Sequence, residues 1–163
     1  MRALGQEVGE DVRVYLTGGA TAVLYGWRTS TIDVDVKPEP EADSFFRALP
    51  ALKERLEINV ELAAPDHFIP ELPGWRERSP FVAREGRLSF HHYDLYAQAL
   101  AKLQRGHDQD LADVHEFLDR GLVEREELLR FFTAIEPQLY RYPAIDPESF
   151  RRAVEQATGG IHN

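Results

Sequence analysis

Two aspartates, Asp33 and Asp35, flank one valine in the run Thr31-Ile32-Asp33-Val34-Asp35-Val36. The run alternates strictly, which predicts a strand with Ile32, Val34 and Val36 on one face and Thr31, Asp33 and Asp35 on the other. Side chains two apart on a strand point the same way, about 6 Å from each other. Two carboxylates so placed repel by roughly 2–3 kcal/mol at an effective dielectric near 20. A hard divalent cation offsets that repulsion best. Mg²⁺ takes one or two carboxylates and fills its remaining positions with water and phosphate oxygens, and Mn²⁺ suits the same oxygen ligands. Glu61 holds the polar phase of a second alternating run, Ile58-Asn59-Val60-Glu61-Leu62, with Ile58, Val60 and Leu62 expected inward. If the two strands are neighbours, Glu61 completes a set of three acids, able to hold a second metal or to serve as a general base. Taken alone, Asp-x-Asp is also the pattern of a solvated strand face.

Gly18-Gly19 sharpens the reading. It follows the alternating, β-branched Val12-Arg13-Val14-Tyr15-Leu16 and precedes the apolar Ala20–Trp27, so it marks a strand-to-helix turn. With no Cβ in the way, the turn's backbone N–H groups can approach a phosphate. A glycine pair, a short helix and a strand bearing Asp-x-Asp form a rarer combination than any of the three parts.

The remaining elements must position these residues. Pro38-Glu39-Pro40 is expected to break the Asp-x-Asp strand, and Glu41–Leu56 reads as a helix with Pro50 as a kink or break. Residues 64–80 carry four prolines and read as one long irregular stretch, functional or loosely ordered. Phe81–Glu85 and Arg87–Phe90 form a hairpin at Glu85-Gly86. From Tyr93 the period changes from 2 to 3.6, with apolar stripes on Leu95, Ala99, Leu100 and Leu103, then Leu111, Val114, Phe117 and Leu118, then Leu128, Leu129, Phe132 and Ile135, and a weaker one over Phe150–Ala157. The expected class is α+β: a mixed sheet with flanking helices over residues 1–92, a helical part over 93–158 packed on it as a single compact unit, and a frayed tail from 159 to 163.

Composition bounds the function. A net charge of −9, from 28 acidic and 19 basic residues, argues against wholesale nucleic-acid binding. The absence of cysteine leaves carboxylate, imidazole and carbonyl oxygen as metal ligands. No apolar run approaches a membrane span and no signal-peptide core opens the chain, so a cytoplasmic protein without membrane association is expected.

The ordered motifs resemble the nucleotidyltransferase superfamily, and in particular its small bacterial branch of AbiEii-type toxins from abortive-infection toxin–antitoxin systems. The resemblance rests on Leu16-Thr17-Gly18-Gly19-Ala20-Thr21-Ala22, Arg28, Thr31–Asp35, Glu61, Lys102-Leu103-Gln104-Arg105 and Asp110-Leu111-Ala112-Asp113, and covers residues 12 to 120. It implies a nucleotidyltransferase-like fold and transfer of an NMP from an NTP, with Mg²⁺, to a hydroxyl on RNA, protein or a small molecule. Gly18 and Gly19 would approach the triphosphate, Asp33 and Asp35 would bind the metal, and Glu61 would activate the hydroxyl. Thr21 offers a hydroxyl to the nucleotide, Arg28 a guanidinium, and Lys102 with Asp110 the later polar pair. A cognate antitoxin and a tRNA acceptor would be partners. Two positions depart from the pattern, Ala20 where many members carry Ser or Thr, and Glu61 where an aspartate is usual. They motivate a second expectation, a nucleotidyltransferase-fold module that binds a nucleotide or partner protein without catalysis.

Other residues have competing readings. Arg28 either meets phosphate, pairs with Asp33 and Asp35, or is an exposed helix-end arginine. Lys102 is otherwise a snorkelling surface lysine. His91 and His92 face opposite ways and do not suit one metal. His107-Asp108 lacks the further histidines an HD-type phosphohydrolase needs. Trp75 is a loop anchor or a base-stacking surface.

Overall fold

Val12, Val14 and Leu16 alternate with Arg13, Tyr15 and Thr17, and that period of two decides which side of a sheet becomes core. In the computed structural model, which describes residues 1–159, these residues form β1 (Val12–Thr17) at the centre of a five-stranded sheet. The others are β2 (Asp33–Glu39), β3 (Asn59–Leu62), β4 (Phe81–Glu85) and β5 (Leu88–His92), in the order β3-β2-β1-β5-β4. β1 runs antiparallel to β2 and parallel to β5, β2 is parallel to β3, and β4–β5 is the expected hairpin. The apolar phase of β1, β2 and β5 buries Val14, Leu16, Val36, Leu88 and Phe90 against three helices: α1 (Arg2–Glu7), α2 (Gly19–Tyr25) and α3 (Asp43–Leu56). The protein is α+β, as expected.

The chain divides into two compact units. The first comprises Met1–Ala64 and Ser79–Tyr93, which is the sheet with α1 to α3. The second comprises Pro65–Arg78 and the chain from Asp94 onward. It contains a 3-10 turn at Pro65–His67, the single helical turn α4 (Trp75–Arg78), α5 (Leu95–Arg105), α6 (Asp108–Asp119), α7 (Arg125–Ile135), a 3-10 stretch at Glu136–Arg141 and α8 (Pro147–Thr158). Residues 160–163 of the expected tail lie outside the described residues. Among the described residues, no helix is long and apolar enough to cross a membrane.

Several local expectations change. The first residues form α1, a helix too short for its periodicity to register. α3 runs continuously through Pro50, and the buried side chains of Phe45, Leu49 and Leu52 hold it across the missing N–H bond. β2 continues through Pro38 rather than breaking before it. β3 pairs only with Asp33–Val36, so β2 is an unpaired edge on that side at Pro38, where the lost donor is tolerated. Ile32 does not join the apolar face: it is 70% exposed and precedes the strand in a bend. The Thr31 hydroxyl donates to the Asp33 carbonyl (2.9 Å) and accepts from the Asp33 amide (3.3 Å), a local turn at the start of β2, while the Ile32 carbonyl accepts from the Asn59 amide of β3 (2.7 Å). Leu62 is likewise exposed, because β3 is the edge strand and the sheet ends beside it.

The segment 64–80 is ordered and packed rather than irregular. Ile69, Leu72 and Trp75, each three apart, are all at most 2% exposed. Pro65 opens a 3-10 turn, a use of proline that resembles loop composition in the sequence. Arg78 closes the segment, donating to the Pro73 carbonyl (2.6 Å) and to the buried Asp94 carboxylate (2.7 Å). Asp94 also caps α5 by accepting from the Tyr96 amide, and burial raises its pKa against the pull of Arg78. Trp75 is thus a core anchor, with the Arg76 guanidinium 4.3 Å from its ring centroid. Leu72→Ala is expected to destabilise the protein by about 2–5 kcal/mol, the cost of a well-packed core leucine. A loop without a packing role would leave the urea unfolding midpoint unchanged.

Candidate active site

The polar phase of the sheet carries the acids. In register, Asp33 lies opposite Asn59, and Asp35 lies between Glu61 on β3 and Thr17 on β1. Asp33, Asp35 and Glu61 therefore share the face opposite α2 and α3, as the alternation requires. Asn59, also on that face, donates from Nδ2 to Asp33 Oδ1 (3.3 Å) and to Glu61 Oε1 (2.7 Å). Sequence reasoning passed over Asn59, although it occupies the same phase of its strand as Glu61.

The glycine turn abuts this row. Gly18 has φ +64° and ψ −129°, a conformation that disfavours any side chain, and a Cβ there would stand 2.9 Å from Asp35 Oδ2. A Cβ on Gly19 would meet Thr31 Oγ1 at 2.5 Å and Arg28 Nη1 at 3.4 Å. The structure thus brings Gly18, Gly19, Arg28, Thr31 and Asp35 together, with Asp33 and Glu61 in the adjoining strand positions. Arg28 reaches back to the turn it follows, so it is not a plain helix-end arginine, and its guanidinium lies beside the same glycines as Asp35.

Thr21 is a correction. It is fully buried, and its hydroxyl lies 2.9 Å from His92 Nδ1 and 3.5 Å from the Leu16 carbonyl oxygen, which accepts from it. The α2 periodicity turns position 21 toward the sheet, so its hydroxyl is bonded to the interior and not presented to a nucleotide.

The donor set suits Mg²⁺ or Mn²⁺: carboxylate oxygens on one face beside a turn that a backbone phosphate contact could use. Among the described residues, no three of His, Asp or Glu converge as a ready metal cage. Mg²⁺ does not require one, since it uses one or two protein carboxylates and takes its other oxygens from water and phosphate. Asp33 and Asp35 would be those ligands, with Glu61 within the same row.

Lys102 and Asp110 belong to the second unit. Lys102 is 5% exposed rather than snorkelling, with Nζ 2.7 Å from Asp113 Oδ2 and 3.5 Å from Asp110 Oδ1. Arg105 donates to the same Asp110 oxygen at 2.7 Å, while buried Asp110 Oδ2 meets no donor among the described residues. The four charges join α5 to α6. A helical lysine on an apolar stripe looks like a surface residue until its partners on the next helix are known. Lys102→Met is expected to cost about 3–5 kcal/mol, because it strips buried Asp113 of its cation; an unchanged melting temperature would remove the structural role.

The histidines part company. His92 points to the α2 side and stacks on Tyr25 at a 4.6 Å centroid distance, whereas His91 on the opposite face bonds Ser89 Oγ (2.9 Å) and the Ser79 carbonyl (3.2 Å). His107 and Asp108 are exposed at the start of α6. Burial lowers the His92 pKa to about 4, below the ordinary 6.5. A folded-state histidine that resists protonation stabilises the fold above the unfolded pKa and loses that contribution as pH falls. Stability should therefore decline between pH 6.5 and 4, and His92→Gln should flatten that part of the melting-temperature profile. An identical slope in the variant would refute the assignment.

A mixed sheet with a glycine turn at the end of one strand and acids on the polar face of its neighbours is the arrangement of a nucleotidyltransferase-like protein. The chain belongs to the family described as nucleotidyltransferase of unknown function (DUF6036), which matches residues 3–146. This supports the superfamily and does not single out the AbiEii-type branch. No curated protein matches the chain, and no solved structure matches it.

Proposed function

We propose that the chain is a divalent-cation-dependent nucleotidyltransferase that moves an NMP from an NTP to a hydroxyl acceptor. The observation that carries this reading is the register of β2 and β3, which sets Asp35 beside Glu61 and within reach of the Gly18 turn, with Asp33 on the same face. Mg²⁺, when bound, would supply charge neutralisation on the triphosphate. Asp33 and Asp35 present the oxygens that hold it. Gly18 and Gly19 admit the phosphate chain close to the backbone, and Arg28 meets its charge. Glu61 takes the proton from the attacking hydroxyl as its oxygen bonds to the α-phosphorus and pyrophosphate leaves with the electrons of the broken P–O bond. Lys102 and Asp110, which the family resemblance assigns to the nucleotide, are engaged with Asp113 and Arg105, and the proposal does not depend on them.

The acceptor is RNA, protein or a small molecule. The acidic balance of the chain favours an acceptor that needs little phosphate contact, so tRNA ranks below protein or a small molecule. A toxin role with a cognate antitoxin is the finer form of the proposal, and its mark is growth arrest on expression that Asp33→Asn relieves. A second reading has its own support. Ala20 has no hydroxyl and that of Thr21 is bonded to the interior, so neither residue that follows the glycines offers one to a phosphate, as in a module that binds nucleotide or partner protein without turnover.

Labelled NTPs incubated with Mg²⁺ and total cellular RNA and protein test the proposal. Transfer of label is expected, and Asp33→Asn or Asp35→Asn should lower it at least about 100-fold, some 3 kcal/mol of transition-state stabilisation. Without divalent cation, Asp33→Asn should melt no lower than the parent, since it removes one of three like charges from an exposed position. Undiminished transfer in either variant defeats the assignment, and calorimetric binding of Mg²⁺–NTP without any transfer selects the second reading.

A further inference from the structure

Asn59 stands where β3 begins, opposite Asp33 and two residues before Glu61 on the same face. A primary amide has two N–H donors. Here Nδ2 is 3.3 Å from Asp33 Oδ1 and 2.7 Å from Glu61 Oε1, so one group serves acids on two different strands. Each bond engages a single oxygen of its carboxylate and leaves the second oxygen uncommitted to the amide.

The chemistry of the donor matters as much as its position. Asp33 and Glu61 are exposed, and an exposed carboxylate turns among its rotamers unless something holds it. A lysine or arginine at position 59 would hold both acids and neutralise them, competing with any cation. An aspartate or glutamate would add repulsion and donate nothing. A hydrophobic residue would hold neither. An amide donates to both acids while adding no charge, so it orders Asp33 and Glu61 without neutralising either.

We propose that Asn59 is a positioning residue of this site, resting on the nucleotidyl-transfer reading above. It fixes which oxygen of Asp33 is offered to the cation and which oxygen of Glu61 is offered to the acceptor hydroxyl. It touches neither substrate nor reacting atoms and acts through the two acids. Groups that orient metal ligands in this way commonly change affinity or activity by 10- to 100-fold when removed.

The test uses the full chain, with Mn²⁺ as the probe cation and the electron paramagnetic resonance signal of free Mn²⁺ as the readout. Asn59→Ala should weaken Mn²⁺ binding about 10-fold. It should also lower the rate of label transfer at saturating NTP by about 10-fold or more, with the KM for NTP changed less than about twofold, because the phosphate contacts of the turn are untouched. Asn59→Asp, nearly isosteric, should recover Mn²⁺ binding through its added charge while transfer stays slow, since the bridge between the acids is still missing. A residue that merely supports the edge strand would instead shift the melting temperature of both variants and leave this split unseen.

Asp33→Asn is the control that separates the two ideas. If it abolishes Mn²⁺ binding while Asn59→Ala binds and turns over like the parent, the Asn59 inference fails and the cation reading stands. If Asp33→Asn binds Mn²⁺ like the parent, or the parent binds none at millimolar Mn²⁺, the cation reading fails and takes the inference with it. Full transfer activity in Asn59→Asp also overturns the inference.

Discussion

The strand register of β1, β2 and β3 is the constraint on which the rest of the first unit depends. Because side chains alternate with a period of two, burying Val14, Leu16 and Val36 compels Thr17, Asp35 and Glu61 to share the opposite face. A one-residue slip would send carboxylates into an apolar core, at a cost no nearby cation could repay. The core therefore selects the register, and the register assembles the acids. Packing and chemistry are two sides of one alternating pattern.

That coupling explains which features were legible in the sequence. The strands, the hairpin, the helical second half and the phase of Asp33, Asp35 and Glu61 are local signals, written in periods of 2 and 3.6. So is the Gly18 turn, since its backbone conformation tolerates little else. What escaped depends on neighbours distant in the chain. Thr21 looks like a free hydroxyl beside a glycine turn until His92, seventy-one residues on, is placed against it. Ile32 and Leu62 fit an apolar phase, yet one precedes the strand proper and the other lies at the edge of the sheet. Residues 64–80 have the prolines of a loop and the Ile69-Leu72-Trp75 spacing of a packed turn, and the spacing prevails because it buries three large side chains.

Lys102 shows the same limit for charge. On its own helix it lies among alanines and leucines, and the sequence offers no local reason to bury an ammonium there. The reason is on α6, where Asp110 and Asp113 are spaced by three and face one way. Breaking such a cluster costs more than forming it gains, since each member is already desolvated. Its effect is to fix one pairing of α5 with α6 against others that an apolar stripe would allow equally well. The same Asp-x-x-Asp pattern that a family resemblance reads as part of a nucleotide site thus has a structural occupation within its own unit.

The two acidic groupings end in opposite electrostatic states, and the contrast bears on function. In the second unit, Asp110 and Asp113 are buried and met by the cations of Lys102 and Arg105. In the first unit, Asp33 and Glu61 are exposed and are bridged by the neutral amide of Asn59. A chain with nineteen basic residues had the means to place one where Asn59 stands, and a lysine or arginine there would relieve the repulsion outright. An amide instead preserves the charge while ordering the oxygens. Under the proposed function, a divalent cation arriving with a triphosphate would meet these two carboxylates already ordered and still charged.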